Sequence, residues 1–322
     1  EPGASEGSLV AGGNGQGSGN NQLDYPMGIK IDSNGNIYVA DYNNHRVTKW
    51  EPGVSEGTVV AGGNGSGSGN NQLNLPFDIE LDSDGNIYIS DYGNSRVMKW
   101  ESGASEGSLV AGGNGQGSEN NQFWGPTGIS MDSDKNLYIN DFGNYRVMKW
   151  LPGASEGTIV AGGNGQGSGN NQLGRLFGSN DLDEIGNIYV SDYDNSRIMK
   201  WVPGASEGTL IAGGNGEGSS NNQLSSPRGV HVDLNNNIYI TDTNNFRIQY
   251  IQLAPEITIG AGATTGTITF TGIDDTTDEA DETIIVTPST SPTNATSTIS
   301  DASTITITDD DDPPTVTFAL SA

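Results

Sequence analysis

The chain has 322 residues, of which 48 are glycine and only 32% are hydrophobic; at ~100 to 200 residues per domain it holds two domains, or one repeat array with an appendage, and no conventional helical core. Forty acidic against thirteen basic side chains give a net charge of -27, which repels phosphate backbones and anionic membrane surfaces, so no nucleic-acid partner is expected. Without cysteine there is no disulfide, thiol nucleophile or Cys-ligated metal site, and two histidines are too few for a three-His zinc site.

No run approaches the ~18 apolar residues of a membrane span, so direct membrane insertion is not expected. The opening Glu1-Pro2-Gly3-Ala4-Ser5 lacks the regions of a signal peptide, which places any targeting segment outside the sequence. The segment Glu-Pro-Gly-Ala-Ser-Glu-Gly starts at Glu1 and recurs with small changes at Glu51, Glu101, Leu151 and Val202, at spacings of 50, 50, 50 and 51 residues. One inserted residue explains the odd spacing, since Gly28-Ile29-Lys30-Ile31 becomes Gly178-Ser179-Asn180-Asp181-Leu182. The array ends near Ile251 after five copies.

In the first copy, apolar runs at Ser8–Ala11, Gly28–Ile31, Ile37–Ala40 and Arg46–Trp50 alternate with turn chemistry, which predicts four short antiparallel strands per copy. The turn Asp32-Ser33-Asn34-Gly35-Asn36 is a hairpin connection in which Asn and Gly accept positive φ. A four-stranded unit of ~50 residues cannot bury its own faces, so copies must stack, and radial stacking gives a β-propeller.

At Gly35–Val47, Gly-Asn-Ile-Tyr-Val-Ala-Asp-Tyr-Asn-Asn-His-Arg-Val, the chain resembles the NHL-repeat propellers, and similar strings recur from Gly85, Asn136, Gly186 and Asn236. The resemblance implies that the run containing Ile29 is the innermost strand and that Asp41 and Arg46, with their equivalents, fix the second and third strands. The expectation is an all-β, five-bladed NHL-type propeller over residues 1–252. Its last blade stops after Arg247–Ile251, and the outer-strand sequence Ser8-Leu9-Val10-Ala11 is expected to complete it, removing two open edges. Further copies upstream of Glu1 would raise the count to six or more.

From Leu253 the composition turns to Thr-rich alternation, as in Thr265–Phe270 and Thr304–Ile307, and reads as a separate β-sandwich fragment. Residues 252–322 hold twelve acids and no Lys or Arg. The string Ile273-Asp274-Asp275 with Glu279 and Glu282, followed by Ile307-Thr308 and Asp309–Asp312, resembles the second half of a Calx-β domain. That resemblance implies Ca2+ held by Asp274, Asp275, Glu279, Asp309, Asp310, Asp311 and Asp312, a hard-oxygen set suited to the ion. The partial sandwich is assigned to residues 253–313, and 314–322 look like the first strand of a following module.

Several short patterns read as structural. Asp82-Ser83-Asp84-Gly85-Asn86 begins like an EF-hand loop, but Gly93 stands where its bidentate Glu belongs. The stretch Gly12–Gly19 lacks the Lys and the helix of a phosphate loop and recurs five times, which suits a connection between blades. Five Asp–Arg pairs, Asp41–Arg46 and its equivalents, read as blade staples, and Trp50, Trp100, Trp150 and Trp201 as packing between blades. Neither His45 nor His231 has a context that suggests acid–base catalysis.

Function is sought where the copies differ. One variable set enters the innermost strand and supplies Tyr25, Met27, Leu75, Phe77, Trp124, Arg175, Phe177 and Arg228. A second lies between strands two and three, at His45, Ser95, Tyr145, Ser196 and Phe246. In an up-and-down blade both connections emerge on one face. Tyr25, Met27, His45, Leu75, Phe77, Trp124, Tyr145, Arg175, Phe177, Arg228 and Phe246 are therefore expected to bind a glycan or a protein.

NHL copies joined to Calx-β-like modules resemble pieces of giant bacterial surface adhesins, including those of gliding bacteria. The resemblance implies an extracellular, cell-surface, non-enzymatic binding module with neighbouring Calx-β-like modules on the same chain. A structural spacer in a filament is one alternative. Another is a lyase- or lactonase-like enzyme with a metal in the channel, which the innermost strands disfavour because they repeat almost without singular polar residues.

Overall fold

Each blade is one antiparallel sheet that takes three strands from one copy of the repeat and its outer strand from the next, the alternating apolar runs being separated by Asp- and Gly-bearing turns. In the computed structural model, residues 7–252 are described in full and the rest of the chain as four strands only. Blade 1 comprises β1 (Pro26–Ile31), β2 (Ile37–Asp41), β3 (Arg46–Trp50) and β4 (Thr58–Gly62) in sequential order. Blade 2 repeats this with β5 (Pro76–Leu81), β6 (Ile87–Asp91), β7 (Arg96–Trp100) and β8 (Ser108–Gly112). Blade 3 follows with β9 (Pro126–Met131), β10 (Leu137–Asp141), β11 (Arg146–Trp150) and β12 (Thr158–Gly162).

Blade 4 is β13 (Asn180–Leu182), β14 (Ile188–Asp192), β15 (Arg197–Trp201) and β16 (Thr209–Gly213), its inner strand shortened by the inserted residue. Blade 5 has three strands, β17 (Pro227–Val232), β18 (Asn237–Asp242) and β19 (Arg247–Gln252). The β1–β2 hairpin turn is closed by its own acid: Asp32 Oδ1 accepts the N–H groups of Asn34 and Asn36, both at 2.9 Å, and Oδ2 accepts Asn36 Nδ2 at 2.8 Å. At the equivalent Asp82, burial works against ionisation. Hydrogen bonds from the Asn86 side chain and backbone and from Lys135 prevail and bring the carboxyl down to about 2, so the EF-hand-like string is a self-satisfied turn.

The core lies between blades. One face of blade 1, with Tyr38, Val47 and Ala61, packs on Ile79, Ile87, Ile89, Met98 and Trp100 of blade 2. The next two interfaces use the equivalent residues. The interface between blades 4 and 5 joins Tyr189 and Ile198 to Val230, Val232, Ile238 and Ile240. Trp50, Trp100, Trp150 and Trp201 are all buried. Each lies over a glycine, and a Cβ at Gly57 would stand only 2.6 Å from Trp50 Cε2.

The expected closure of the ring is not observed. Ser8–Ala11 forms no strand, and among the described residues β19 pairs with β18 alone. Leu9 is 73% exposed. Ile29 is 59% exposed where its equivalents Ile79 and Ile129 are buried, and Ile248 is 62% exposed where Val47, Val97, Val147 and Ile198 are buried. The tether of Arg46 to the carbonyls of Ser18, Gly19 and Gln22 is not the cause, since Arg96 holds Ser68, Gly69 and Gln72 in the same way while Thr58–Gly62 still joins β3; what is missing is a packed interface that would bring β19 beside Ser8–Ala11. Blade 5 does not pack on blade 1 as consecutive blades pack on each other.

The chain divides into two compact units, Glu1–Leu253 and Ala254–Ala322. Within the second, β20 (Thr265–Thr269) pairs antiparallel with β23 (Thr315–Ala319), and β21 (Glu282–Val286) with β22 (Ser303–Ile307). Asp274, Asp275, Glu279 and Asp309–Asp312, expected to hold Ca2+, lie outside the described residues.

Candidate functional site

The staple Asp of each blade serves two masters. Asp141 Oδ1 accepts the backbone N–H of Trp124 at 2.7 Å, while Oδ2 accepts Arg146 Nε at 2.8 Å. Arg146 in turn donates to the carbonyls of Glu119 and Gln122 in the Gly-rich connection. The same arrangement ties the N–H groups of Asp24, Asn74, Gly174 and Ser225 to Asp41, Asp91, Asp192 and Asp242. A variable residue is thus fixed through its backbone, which leaves its side chain free to differ.

Burial pushes Asp91, Asp141 and Asp192 upward, offset by the bonds they accept from Asn, Arg and backbone N–H groups. At Asp242 burial acts in the same direction, but bonds from Ser225 N–H, Asn245, Arg247 and Gln249 outweigh it and lower the carboxyl. That difference follows from the missing outer strand of blade 5, which leaves Arg247 more exposed than its equivalents.

Three residues along from each tethered position stand Met27, Phe77, Thr127, Phe177 and Arg228, one per blade. Two of them meet from non-adjacent blades, since the rings of Phe77 and Phe177 lie edge to face with centroids 5.1 Å apart. Around them runs a chain of aromatic contacts: Tyr25–Tyr42 at 6.0 Å, Tyr42–Tyr92 at 6.5 Å, Tyr92–Phe142 at 6.2 Å, Phe142–Phe177 at 5.7 Å and Phe177–Tyr193 at 6.1 Å. The guanidinium of Arg228 stacks on this layer, with Cζ 4.7 Å from the Phe177 centroid and 5.8 Å from that of Tyr193.

Tyr42, Tyr92, Phe142 and Tyr193 are a part of the site that the variable positions did not reveal. Their signal was an aromatic directly after each staple Asp in four copies, replaced by Thr243 in the fifth.

Of the predicted set, the structure brings Tyr25, Phe77, Phe177 and Arg228 into this one aromatic layer, and Met27, half-buried, holds the equivalent position of blade 1. Trp124, 51% exposed, lies over Gly143, where a Cβ would collide with the indole. Arg175 is exposed and ion-paired with Asp194 at 3.0 Å.

His45 is committed structurally, its Nδ1 accepting the N–H of Leu75 at 3.1 Å, and Leu75 holds a left-handed backbone at φ 55. His45, Tyr145 and Phe246 cap the short turns after the second strands, again left-handed, and Phe246 is 95% exposed.

The inner strands correct an expectation. Their homologous positions are Lys30, Glu80, Ser130, Asp181 and His231, five different polar groups. Lys30 Nζ pairs with Glu80 at 2.7 Å, and His231 Nδ1 lies 2.8 Å from Asp181 Oδ2, which also accepts Val232 N–H. Burial pushes Asp78 up to about 6, despite the pull of Lys30 and the N–H groups of Ile129 and Ile79. Burial also raises Glu80 against the attraction of Lys30. Among the described residues, no group of three His, Asp or Glu side chains gathers where a metal ion could be held.

The NHL repeat family matches residues 23–50 and 224–249, in blades 1 and 5, and the fold is a five-bladed β-propeller. No curated protein matches its sequence. Among solved structures it is similar to a protein of unknown function from Bacteroides thetaiotaomicron, at 17% identity and a TM-score of 0.54, over 78% of this chain and 66% of that one, just under two thirds of its length. It is also similar to a chain of the nidogen/laminin complex, at 18% identity and a TM-score of 0.53, over 71% and 76%. A third is a gluconolactonase from Xanthomonas campestris, at 13% identity and a TM-score of 0.50, over 68% and 70%.

At such identities the likeness shows the fold alone. The expectation that the chain is not an enzyme is therefore corrected: this fold is shared with a gluconolactonase, and it decides neither for nor against catalysis.

Proposed function

We propose that the propeller is a recognition module that reads a glycan or a protein over the face bearing Tyr25, Trp124, Arg175, Phe177 and Arg228, with buried Phe77 supporting Phe177 edge-on. The observation that supports this most is the tether itself. Five backbone N–H groups bound to five buried carboxylates hold variable side chains at fixed places on a stiff sheet, and that pre-organisation lowers the entropic cost of binding. Exposed Tyr25 and Trp124 offer broad amphipathic contact area at low rotamer cost.

In the same proposal the module stands at the cell surface of a bacterium, next to Calx-β-like modules stiffened by Ca2+ at Asp274, Asp275, Glu279 and Asp309–Asp312. Glycan arrays with wild type and a Trp124→Ala, Arg175→Ala double variant test the recognition face. Binding by wild type and loss in the variant is the expected result. Equal binding by both, or binding by neither, removes glycan recognition from this face.

A second reading has its own observation, the paired His231 and Asp181 among the inner strands, beside a Glu and a Lys. It makes the channel an acid–base site for a small substrate such as a lactone, the substrate class named for one protein of this fold. Turnover of a lactone panel that falls at least about tenfold in both Asp181→Asn and His231→Asn supports it, and no turnover by wild type ends it.

A further inference from the structure

Seven arginines occur in the chain, and six of them hold a carboxylate: the five staples and Arg175. Arg228 holds none. Among the described residues its guanidinium makes no hydrogen bond and no ion pair, and its Nε is buried without a partner. In a chain with forty acids such a vacancy calls for an explanation, since a partly buried cation without an acceptor is costly.

The group is nevertheless held in place. Its Cζ lies over the rings of Phe177 and Tyr193, and Phe177 is itself braced edge-on by Phe77 and Phe142. Its main chain is fixed by the residue inserted in the fourth copy: Ser179 N–H donates to the Arg228 carbonyl at 2.8 Å, and Ser179 Oγ accepts Val230 N–H at 3.0 Å. Gly178 permits that approach, because a Cβ there would collide with the Arg228 carbonyl. The one irregular spacing in the array thus sits beneath the one unpaired guanidinium.

With Cζ over two rings and Nε buried, the two terminal Nη groups are left to donate, and that fork matches a carboxylate in a bidentate pair. We propose that Arg228 is the anchor for a carboxylate on the ligand, so that the glycan read at this face is an acidic one of the uronate type. The proposal rests on the recognition reading above. The exposed rings of Tyr25 and Trp124 suit the flat apolar faces of sugars. Repulsion from the net charge of -27 is screened beyond ~8 to 10 Å at physiological salt and does not cancel a direct contact.

The test is calorimetric titration of the full chain with trigalacturonate and with its neutral methyl ester, using wild type, Arg228→Gln, Arg228→Lys and Trp124→Ala. Wild type is expected to bind the acid at least tenfold more tightly than the ester. Arg228→Gln is expected to lose that preference, and Arg228→Lys to keep only part of it, because ammonium lacks the fork. Since Arg228 makes no hydrogen bond or ion pair among the described residues, Arg228→Gln should lower the melting temperature by no more than the loss of its contact with Phe177 and Tyr193, a few degrees. A fall well above that would mark a structural role and overturn the proposal.

If acid and ester bind equally and Trp124→Ala abolishes both, the carboxylate anchor is wrong and the recognition face stands. Retention of acid preference in Arg228→Gln also overturns the anchor. If wild type binds neither probe, the uronate class is wrong, and the glycan array decides the recognition face separately.

Discussion

The gap between the first and last blades yields a paired stability measurement at one repeat position. Ile198 on β15 is fully buried against blade 5, and Ile248 on β19 is 62% exposed at the equivalent place. Truncating a buried Ile to Ala removes its transfer free energy and leaves a cavity, and costs roughly 2 to 5 kcal/mol. With well over half of the Ile248 side chain already in water, and no facing layer to leave a void, the same change there should cost about 1 kcal/mol or less.

Urea denaturation followed by the fluorescence of the buried tryptophans measures both, read from midpoints at unchanged slope. Equal losses above ~2 kcal/mol in both variants would mean that the outer face of blade 5 is covered, and the account of an unclosed array would be wrong.

The staples predict a strong contrast between buried and exposed pairs. Asp141→Ala strands Arg146 among buried groups and frees the Trp124 N–H, so it should cost roughly 3 to 5 kcal/mol, while Glu51→Ala, which removes the surface partner of Lys49, should cost under about 1 kcal/mol in the same denaturation assay.

Asp78 predicts a pH signature. Its folded pKa of about 6 lies above the ordinary 3.8, so the folded chain keeps a proton that the unfolded chain releases, and stability falls as pH rises through that window and is flat above it. A displacement of about 2 in pKa is roughly 3 kcal/mol, so the stability of wild type relative to Asp78→Asn should decline by about that amount between about pH 4 and pH 7, and a constant difference would refute it. Gly178→Ala should lower stability by roughly 1 to 3 kcal/mol, because the new methyl meets main chain that cannot yield as a side chain would.

The blades were legible because two periodicities coincide in the sequence: alternation within each strand and near-identity every fifty residues. The staples were legible from the fixed Asp-to-Arg interval, which places both residues at the same end of a hairpin. Closure was not legible. The pattern of Ser8–Ala11 is that of an outer strand, but whether it reaches β19 depends on the small angle between blades, summed over the array, and no single residue encodes that sum. The aromatic layer was half hidden, since Tyr42, Tyr92 and Phe142 vary too little to be noticed where variation was the search criterion. The inner-strand polar groups were missed for the opposite reason, because Lys30, Glu80 and Ser130 alternate with the apolar Ile29, Ile79 and Ile129 and were absorbed into a run that seemed constant.

Repetition and recognition pull a sequence in opposite directions, and the staple Asp shows how this chain satisfies both. Its two oxygens bind a main-chain N–H and a constant Arg, so the staple itself does not use the side chain at the variable position. Asp24, Asn74, Trp124, Gly174 and Ser225 therefore share one main-chain bond with five chemistries, though at Gly174 any side chain would meet Asp192 and Asp194. Where the chain does change its geometry, by one residue in the fourth copy, the effect passes through Ser179 to the main chain of Arg228 and falls on the channel mouth. An insertion at a hairpin tip would have cost the fold less than one in the innermost strand, where it shortens β13 to three residues. Placed there, it shortens an inner strand and gives Ser179 to bind the main chain on both sides of Gly229, next to Arg228, an exchange that suits a binding face better than a spacer.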